Sequence, residues 1–156
     1  MSPAEANSAI TRERLHRALS DYRAAQNELD AVYRMIDSYP KYMWVKEFDP
    51  DSGLYVMLKF SRRYALDLVG PDHGAYEGKS DFDFWPADVA KIFFENDERV
   101  RLGTMHPQHP NAADVRELFT SPVTGMTADF VGEKWAFESN GEIYVAGRGW
   151  YENTQT

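Results

Sequence analysis

The feature that most limits the fold of this chain is a β-hairpin near its carboxyl end. Asn140-Gly141 is the residue pair favoured by a two-residue type I′ turn, because both central positions of that turn have positive φ. A strand pattern precedes the turn over Glu133–Glu138, and another follows it over Ile143–Trp150. The carboxyl end therefore folds as two antiparallel strands.

A second hairpin is predicted in the first half of the chain. Met43–Phe48 and Leu54–Phe60 are rich in aromatic and β-branched residues, as strands are. The segment between them, Asp49–Gly53, consists of residues that tolerate the dihedral angles of turns. The first two strands and the last two strands along the chain are therefore each predicted to form a hairpin.

The segment between the two hairpins has helical patterns. We expect a short helix over Arg62–Val69, a helix start at Ser80 with Asp83 three residues later, and a long helix over Ala87–Leu102. Asp81 is interpreted as a carboxylate of the helix start, and Asp97 is expected on the exposed face of the long helix. Residues 113–131 follow neither period clearly. Hairpins flanking helices predict an α+β domain with an antiparallel sheet and helices on one face.

The amino-terminal segment predicts one long helix, from about Ala4 to Asp37, with no internal Pro or Gly and a stop at Pro40. Apolar and small residues recur in steps of three and four along it, which is the pattern of a heptad seam that pairs helices. The seam can pair two chains as a homodimer, or the helix can fold back onto its own sheet. The predicted seam residues are Leu15, Ala18, Tyr22, Ala25, Leu29, Val32 and Ile36.

Composition excludes several classes of function. The chain has no cysteine, so disulfides, thiolate metal sites and thiol catalysis are excluded. Its net charge of −8 argues against nucleic-acid binding, which normally needs a basic face. The sequence has no signal peptide and no apolar run near the roughly 18 residues of a membrane span. We expect a soluble cytoplasmic protein that has no contact with membranes.

The residues around the predicted helix start resemble those of a known family. Tyr76–Pro86, which reads Tyr-Glu-Gly-Lys-Ser-Asp-Phe-Asp-Phe-Trp-Pro, is similar to the segment of PAS domains that joins their first helices to the long central helix. Flanking segments agree in order: Tyr42–Phe48, Leu54–Phe60, Gly70, Asn96-Asp97, Lys134, Asn140–Ile143 and Gly147.

The resemblance covers most of the chain and divides it into three parts. These are an amphipathic helix over 1–38, a PAS domain over 39–152 and a tail over 153–156. It implies a five-stranded antiparallel sheet flanked by helices, serving as a sensory or dimerisation module in signal transduction. It also implies that the preceding helix forms a dimer contact.

Two positions depart from the family pattern. Met57 stands where many members have an Asn near the ligand pocket, which puts polar ligand contacts there in doubt. The family's Asp-Ile-Thr connector is replaced by Tyr151–Thr154, which puts output through that end in doubt. With Met1 at the start, this favours a complete short protein, although a fragment of a larger signalling protein stays open.

In this family the ligand pocket lies between the sheet and the long helix. The large side chains expected there can line an occupied pocket, or they can fill the space themselves and leave a solid core. The candidate lining residues are Trp44, Tyr55, Met57, Phe60, Phe82, Phe84, Phe93, Trp135, Phe137 and Tyr144.

Cofactor and metal sites find little support in the sequence. Haem-binding members take an axial His from the long helix or its neighbourhood, and the helix over Ala87–Leu102 has none. The lack of cysteine excludes cysteine-adduct flavin photochemistry. It does not exclude plain flavin binding, but we expect neither haem nor flavin. His106 and His109, near Asp114, each directly precede a Pro, which disfavours the helix on which an H-x-x-H pair could chelate, so we interpret them as solvated loop residues rather than a metal site.

The sequence also offers no catalytic set. We find neither a nucleophile–base pair nor a glycine-rich phosphate loop, so we do not expect an enzyme. The predicted function is a PAS sensory and protein-interaction module that senses a small ligand or mediates dimerisation. The alternative is a free-standing PAS adaptor that binds a signalling protein and takes no small-molecule ligand.

Overall fold

The computed structural model describes residues 2–70, 76–103 and 112–155, with the side chains of 7, 25 and 151–155 excepted. The chain divides into two compact units, Met1–Arg34 and Met35–Thr156. Within the described ranges, none of the helices combines the length and the apolarity that crossing a bilayer requires.

Helix α1 spans Pro3–Ser38, two residues longer than predicted. The Ser2 hydroxyl accepts the Glu5 N–H at 3.2 Å, and the Glu5 carboxylate accepts the Ser2 N–H at 2.6 Å. This reciprocal pair is a capping box, and Pro3 occupies the first helical position, where a missing N–H costs nothing. The helix therefore begins and ends where its capping residues and Pro40 require.

The described residues include five antiparallel strands in one sheet, as the resemblance predicted. Their order across the sheet is β2-β1-β5-β4-β3. The first and last strands of the sequence are therefore neighbours in the middle of the sheet, where Tyr42 pairs with Gly149. The strands are β1 Tyr42–Asp49, β2 Leu54–Phe60, β3 Ala112–Thr120, β4 Thr127–Ser139 and β5 Glu142–Gln155.

The helical segment between β2 and β3 differs in detail from the prediction. The expected helix over 62–69 is α-helical only as α2, Arg62–Tyr64, and continues as a π-helical turn, Ala65–Val69. Gly70, at φ 82°, ends this turn in a conformation that glycine adopts readily. Helices α3, Asp81–Phe84, and α4, Ala87–Leu102, lie where the sequence placed them.

Strand β3 is the element that the sequence did not reveal. Its outward positions include Leu118, with 68% of its surface exposed, while its inward positions include the buried Glu117. These two neighbouring positions break the usual rule that apolar residues face inward, which Val115 and Phe119 still follow, so the period-2 signal is weakened. Strand β4 also begins earlier than predicted, and β5 runs through 153–155, which we had assigned to the tail.

The two faces of the sheet have different neighbours. Alternate residues, including Trp44, Lys46, Phe130 and Lys134, point to the inner face, which α3 and α4 cover. The last residues of α1 lie at the outer face, where Asp37 Oδ1 is 3.1 Å from Lys59 Nζ. The core therefore lies between the inner face and α4.

Two glycines on β5, Gly147 and Gly149, leave room for the rings of Trp44 and Phe130 on the inner face of the sheet. A Cβ at Gly147 would meet the Trp44 indole at 2.2 Å, and one at Gly149 would meet the Phe130 ring at 2.4 Å. The two ring centroids are 5.5 Å apart. These glycines thus leave room for the aromatic pair at the centre of the core.

We predict that Gly147→Ala lowers the free energy of unfolding by about 1–3 kcal/mol, because the added methyl overpacks Trp44. Urea denaturation measures the effect. In a double-mutant cycle, Trp44→Phe removes the ring atoms that clash, so the alanine should cost clearly less in that background. An equal cost in both backgrounds would contradict this packing.

Candidate functional site

The described part of the core contains five buried ionisable side chains in one connected network. Each has 4% or less of its surface exposed, although charged side chains are rarely buried this far without partners. They come from β1, α3, α4, β3 and β4, so every layer of the fold contributes. We call this set the buried charge network: Lys46, Asp81, Asp97, Glu117 and Lys134.

Lys46 lies at the centre of one half of the network. Its Nζ donates to Asp81 Oδ2 at 2.6 Å and to Asp97 Oδ2 at 2.8 Å. Burial by itself would lower the pKa of Lys46, but the two carboxylates more than offset it and hold the pKa above its ordinary value. Lys46 is therefore a fixed positive charge that joins β1 to α3 and α4.

Lys134 forms the other half. Its Nζ donates to Glu117 Oε2 at 3.1 Å and is 3.1 Å from Asp97 Oδ1. Burial would raise the pKa of Asp97, but Lys134 and Lys46 outweigh that effect and hold this pKa below its usual value. Asn96 Nδ2 also donates to Glu117 Oε2, at 2.9 Å. Asp97 is thus the carboxylate that both lysines share.

Two aromatic side chains complete the surroundings of Asp81. The Tyr76 hydroxyl donates to Asp81 Oδ1, and Trp85 Nε1 donates to the Tyr76 oxygen at 3.0 Å. Burial, with the Asp81 charge beside it, raises the pKa of Tyr76 well above its ordinary value. Tyr76 therefore stays protonated and remains a donor to Asp81.

A small cavity adjoins the network on the inner face of the sheet. Its volume is about 20 Å³, compared with the roughly 10–15 Å³ that one water needs. Aromatic rings form most of its wall, and the Lys134 ammonium lies 5.4 Å from the Phe93 centroid and 5.9 Å from that of Trp44. The lining residues are Trp44, Lys46, Tyr64, Leu68, Phe93, Glu117, Phe119, Phe130 and Lys134.

Two buried polar atoms of the described core have no hydrogen-bond partner. Trp44 is 5% exposed, and its indole Nε1 has no acceptor among the described residues. Asp97 Oδ1 accepts no well-aligned hydrogen bond, although the Lys134 ammonium lies 3.1 Å from it. Buried polar atoms are nearly always paired, so Trp44 Nε1 is an exception that the described residues do not satisfy.

The outer face of the sheet has a wider and more open groove. Its volume is about 320 Å³, and the cross-strand ion pair Arg148–Glu133, at 3.1 Å, contributes to its wall. The remaining lining residues are Met35, Tyr39, Met43 and Trp135. This groove is separate from the buried charge network, because alternate residues of β4 face opposite sides of the sheet.

Comparison with solved structures gives the fold a name. The PAS domain of Bordetella pertussis BvgS matches at a TM-score of 0.55 with 18% sequence identity, over 83% of this chain and 88% of that one. This chain has the PAS fold. The PAS domain of an HTR-like protein from Haloarcula marismortui also matches, at a TM-score of 0.47 and 12% identity, over 80% of this chain and 98% of that one. The chain matches no protein-family model and no curated protein sequence.

The PAS core brings together some of the predicted pocket residues. Trp44 and Phe93 line the cavity, Met57 and Phe60 belong to the same core cluster, and Phe84 packs against it. The remaining five are elsewhere. Tyr55 belongs to a smaller cluster with Val100 and Val145, Phe82 is 43% exposed, and Trp135, Phe137 and Tyr144 lie on the outer face of the sheet.

Sequence reasoning missed the charged residues of the PAS core. We expected Asp97 to be exposed on α4, and this was wrong, because it has no exposed surface. Asp81 was interpreted as a helix-start carboxylate, and Glu117 lies in the segment that gave no pattern. Two lysines at inward positions of apolar strands, Lys46 and Lys134, were the signal that buried carboxylates must accompany them.

The predicted heptad seam is only partly accessible. Leu15 and Tyr22 are 61% and 65% exposed, and Ala18 is exposed too, whereas Leu29 and Val32 are half-buried. Ile36 has no exposed surface in the single chain, so it is not available to a second copy. The side chain of Ala25 lies outside the described residues.

Metal binding gains no support from the described side chains. Among residues 2–70, 76–103 and 112–155, no group of three or more His, Asp or Glu could hold an ion. His106 and His109, which we had interpreted as solvated loop residues, lie outside the described residues, while Asp114 is exposed on β3.

We predict that Asp97→Asn lowers the free energy of unfolding by about 3–5 kcal/mol, because Lys46 and Lys134 lose the charge they share. Glu95→Gln is a matched control on the same helix. Glu95 is exposed and lies 3.9 Å from Lys91, so its loss should cost less than about 0.5 kcal/mol. Similar losses in the two variants, measured by urea denaturation, would show that the network contributes little.

Stability should fall at both ends of the pH scale. Asp97 has a lowered pKa when folded, so its contribution is present above about pH 4, the unfolded value, and is lost as pH falls further. Lys46 has a raised pKa when folded, so its contribution is lost as pH rises above about 10.4. Burial and Asp67 also raise the pKa of Tyr42 to about 12, which acts in the same direction.

The unfolding free energy, measured in urea at a series of pH values, should therefore form a plateau between about pH 5 and 10. Asp97→Asn should flatten the acid limb, and it should also start the alkaline fall at a lower pH, because Asp97 is one of the two carboxylates that raise the pKa of Lys46. Stability that continues to rise above pH 10.5 would contradict the sign derived for Lys46.

Proposed function

We propose that this chain is a PAS sensory and protein-interaction module whose amino-terminal helix pairs two chains. The PAS fold supports a module of this kind. The observation that carries the pairing is the exposed apolar surface of α1, where Leu15, Leu19 and Tyr22 are between 47% and 65% exposed. Large apolar side chains exposed along one helix mark an interaction surface.

A second copy of the chain is the partner that this surface fits. The heptad spacing from Leu15 to Val32 is self-complementary, since in-register helices place the same seam position of each copy opposite the other. Small residues such as Ala18 allow close approach but bury little area. The helix pair is therefore weak by itself, which suits an interaction that a signal can change.

The small volume of the cavity supports the alternative function, an adaptor without a small-molecule ligand. A cavity volume of about 20 Å³ is far below the roughly 300–1,000 Å³ of ordinary small-molecule sites. A core filled this completely is what an adaptor without a ligand would have. The adaptor is therefore our second candidate: it would bind a signalling protein in the cytoplasm and respond to no small molecule.

Neither candidate is an enzyme. The charged groups of the core form ion pairs with one another. Lys46 would have to lose a proton to act as a base, and its raised pKa keeps it protonated. Binding and conformational change, rather than catalysis, are therefore the activities that we propose for the module.

Native mass spectrometry tests the pairing. We expect the purified chain at tens of micromolar to have twice its mass of 17.9 kDa, and Leu15→Glu or Tyr22→Glu to give the single mass, because a buried like-charge pair opposes association. Ser20→Glu is the matched control, because Ser20 lies opposite the seam in the heptad and should leave the dimer intact.

Three outcomes distinguish the candidates. A wild-type monomer would overturn pairing through α1. A dimer that survives both Leu15→Glu and Tyr22→Glu would mean that another surface pairs the chains. Additional mass that is lost on denaturation would identify a retained ligand and favour the sensor. A native mass that consists of protein alone, whether monomer or dimer, would favour the adaptor.

A further inference from the structure

Three residues of the buried charge network place an amine between two carboxyl groups. Lys134 Nζ lies 3.1 Å from Asp97 Oδ1 and donates to Glu117 Oε2 at 3.1 Å. None of the three side chains has more than 3% of its surface exposed. Asp97 Oδ1 accepts no well-aligned hydrogen bond, so the amine lies close to this carboxyl group without the geometry of a hydrogen bond. A nucleophile, an acyl group and a proton acceptor are therefore in contact.

Lys46 differs from Lys134 in its contacts. Both of its interactions, with Asp81 Oδ2 at 2.6 Å and with Asp97 Oδ2 at 2.8 Å, have hydrogen-bond geometry. The same two carboxylates raise the pKa of Lys46, so this ammonium keeps its protons. Lys46 is therefore suited to polarise the Asp97 carboxyl group through Oδ2, whereas Lys134 is placed to attack it.

Burial changes the balance between an ion pair and an amide. In water, the hydration of an ammonium and a carboxylate opposes their condensation. In the core that hydration is absent, and each buried charge is costly. Condensation would remove one charge of each sign and leave the net charge of the network unchanged. The cavity that Glu117 and Lys134 line, about 20 Å³, has room for the single water that the reaction releases.

We propose that Lys134 and Asp97 condense to an intramolecular amide bond, with Glu117 as the group that carries the protons. The bond between Lys134 Nζ and Asp97 Cγ forms, and the Cγ–Oδ1 bond breaks. The ammonium nitrogen gives up two protons, which pass through Glu117 to Oδ1, and Oδ1 leaves as water. Glu117 ends as the carboxylate it was, so the step needs no oxidant, reductant or activating group.

The remaining contacts of the network are compatible with this bond. Asp97 Oδ2 becomes the amide oxygen and still accepts the hydrogen bond from Lys46. The reaction starts from a charged carboxylate, because Lys134 and Lys46 hold the pKa of Asp97 below its usual value. We therefore expect the bond to form slowly after folding.

The bond goes beyond the proposed function and does not depend on pairing. It would join α4 to β4 through positions 37 residues apart in the chain. A covalent link of this kind limits the unfolded chain as a disulfide does, so the linked form should unfold at a higher temperature. The long helix could then no longer separate from the sheet, which is a property that suits an adaptor with a fixed core.

Denatured mass spectrometry of the wild-type chain tests the proposal. We expect a mass lower than the 17.9 kDa of the sequence by one water, about 18 Da, in a fraction that grows during a week at room temperature. Trypsin should then release residues 92–99 joined to residues 117–148, uncleaved after Lys134. An intact mass that stays at the sequence value would overturn the proposal.

The peptide map also excludes other losses of water. A succinimide at an Asp residue lowers the mass equally but leaves the two peptides separate, and that result would contradict the amide bond. A link between Lys46 and Asp81 would overturn the choice of Lys134 as the nucleophile.

Three variants assign the roles of the residues. Lys134→Arg keeps the positive charge but has no nucleophilic amine, so the loss of water should disappear. Glu117→Gln nearly preserves the shape and removes the proton carrier, so the loss should be at least about tenfold slower. Lys91→Arg changes an exposed lysine of the same helix and should match the wild type. An unchanged rate in Glu117→Gln would overturn the role of Glu117.

The outcome is separate from that of the pairing experiment. A dimer at the full sequence mass would overturn the amide bond and retain pairing through α1. A monomer that has lost one water and gives the joined peptides would retain the bond and overturn the pairing. The wild-type peptide map decides the matter even if a variant fails to fold.

Discussion

The structure depends on the burial of five charged side chains whose counter-charges lie within the same set. Moving each from water into the core costs several kcal/mol, and that cost is offset only when every partner is in place. Lys46 on β1 requires Asp81 on α3 and Asp97 on α4, and Lys134 on β4 requires Asp97 and Glu117 on β3. The helices and the sheet therefore have one position relative to one another that satisfies the set.

The aromatic core follows from the same constraint. Once the lysines fix α4 above the sheet, the space between them must be filled, and rings that lie flat against Gly147 and Gly149 fill most of it. The ammonium groups of the two lysines also lie near aromatic rings, that of Lys46 at 5.8 Å from the Phe93 centroid and that of Lys134 at 5.9 Å from the Trp44 ring. The cavity is thus small because aromatic side chains occupy the space, and it is polar at one end because the network lies there.

Local signals predicted the elements of this fold, but not its charged centre. The Asn140-Gly141 turn, the uninterrupted helix α1 and the capping residues of α3 are each specified by residues close in sequence, and the structure has all three. Position 97 lies on the buried stripe of α4 with Ala90, Phe93 and Val100, at steps of three and four, so the helical period places it on the inner face. The charge of Asp97 was the reason to expect exposure. Its partners are two lysines 51 and 37 residues away, which no local pattern identifies.

Strand β1 is the element through which the cavity and α1 can influence each other. Its alternate residues face both sides of the sheet: Trp44 and Lys46 reach the cavity, while Met43 faces the groove that Met35 of α1 also lines. A change in the position of Trp44 requires the β1 backbone to move, since the indole packs directly against Gly147. The same movement changes the packing of Met43 and of the groove that Met35 lines with it. Strand β1 therefore connects the aromatic core to residues 35–38, the part of α1 that belongs to the same compact unit as the sheet.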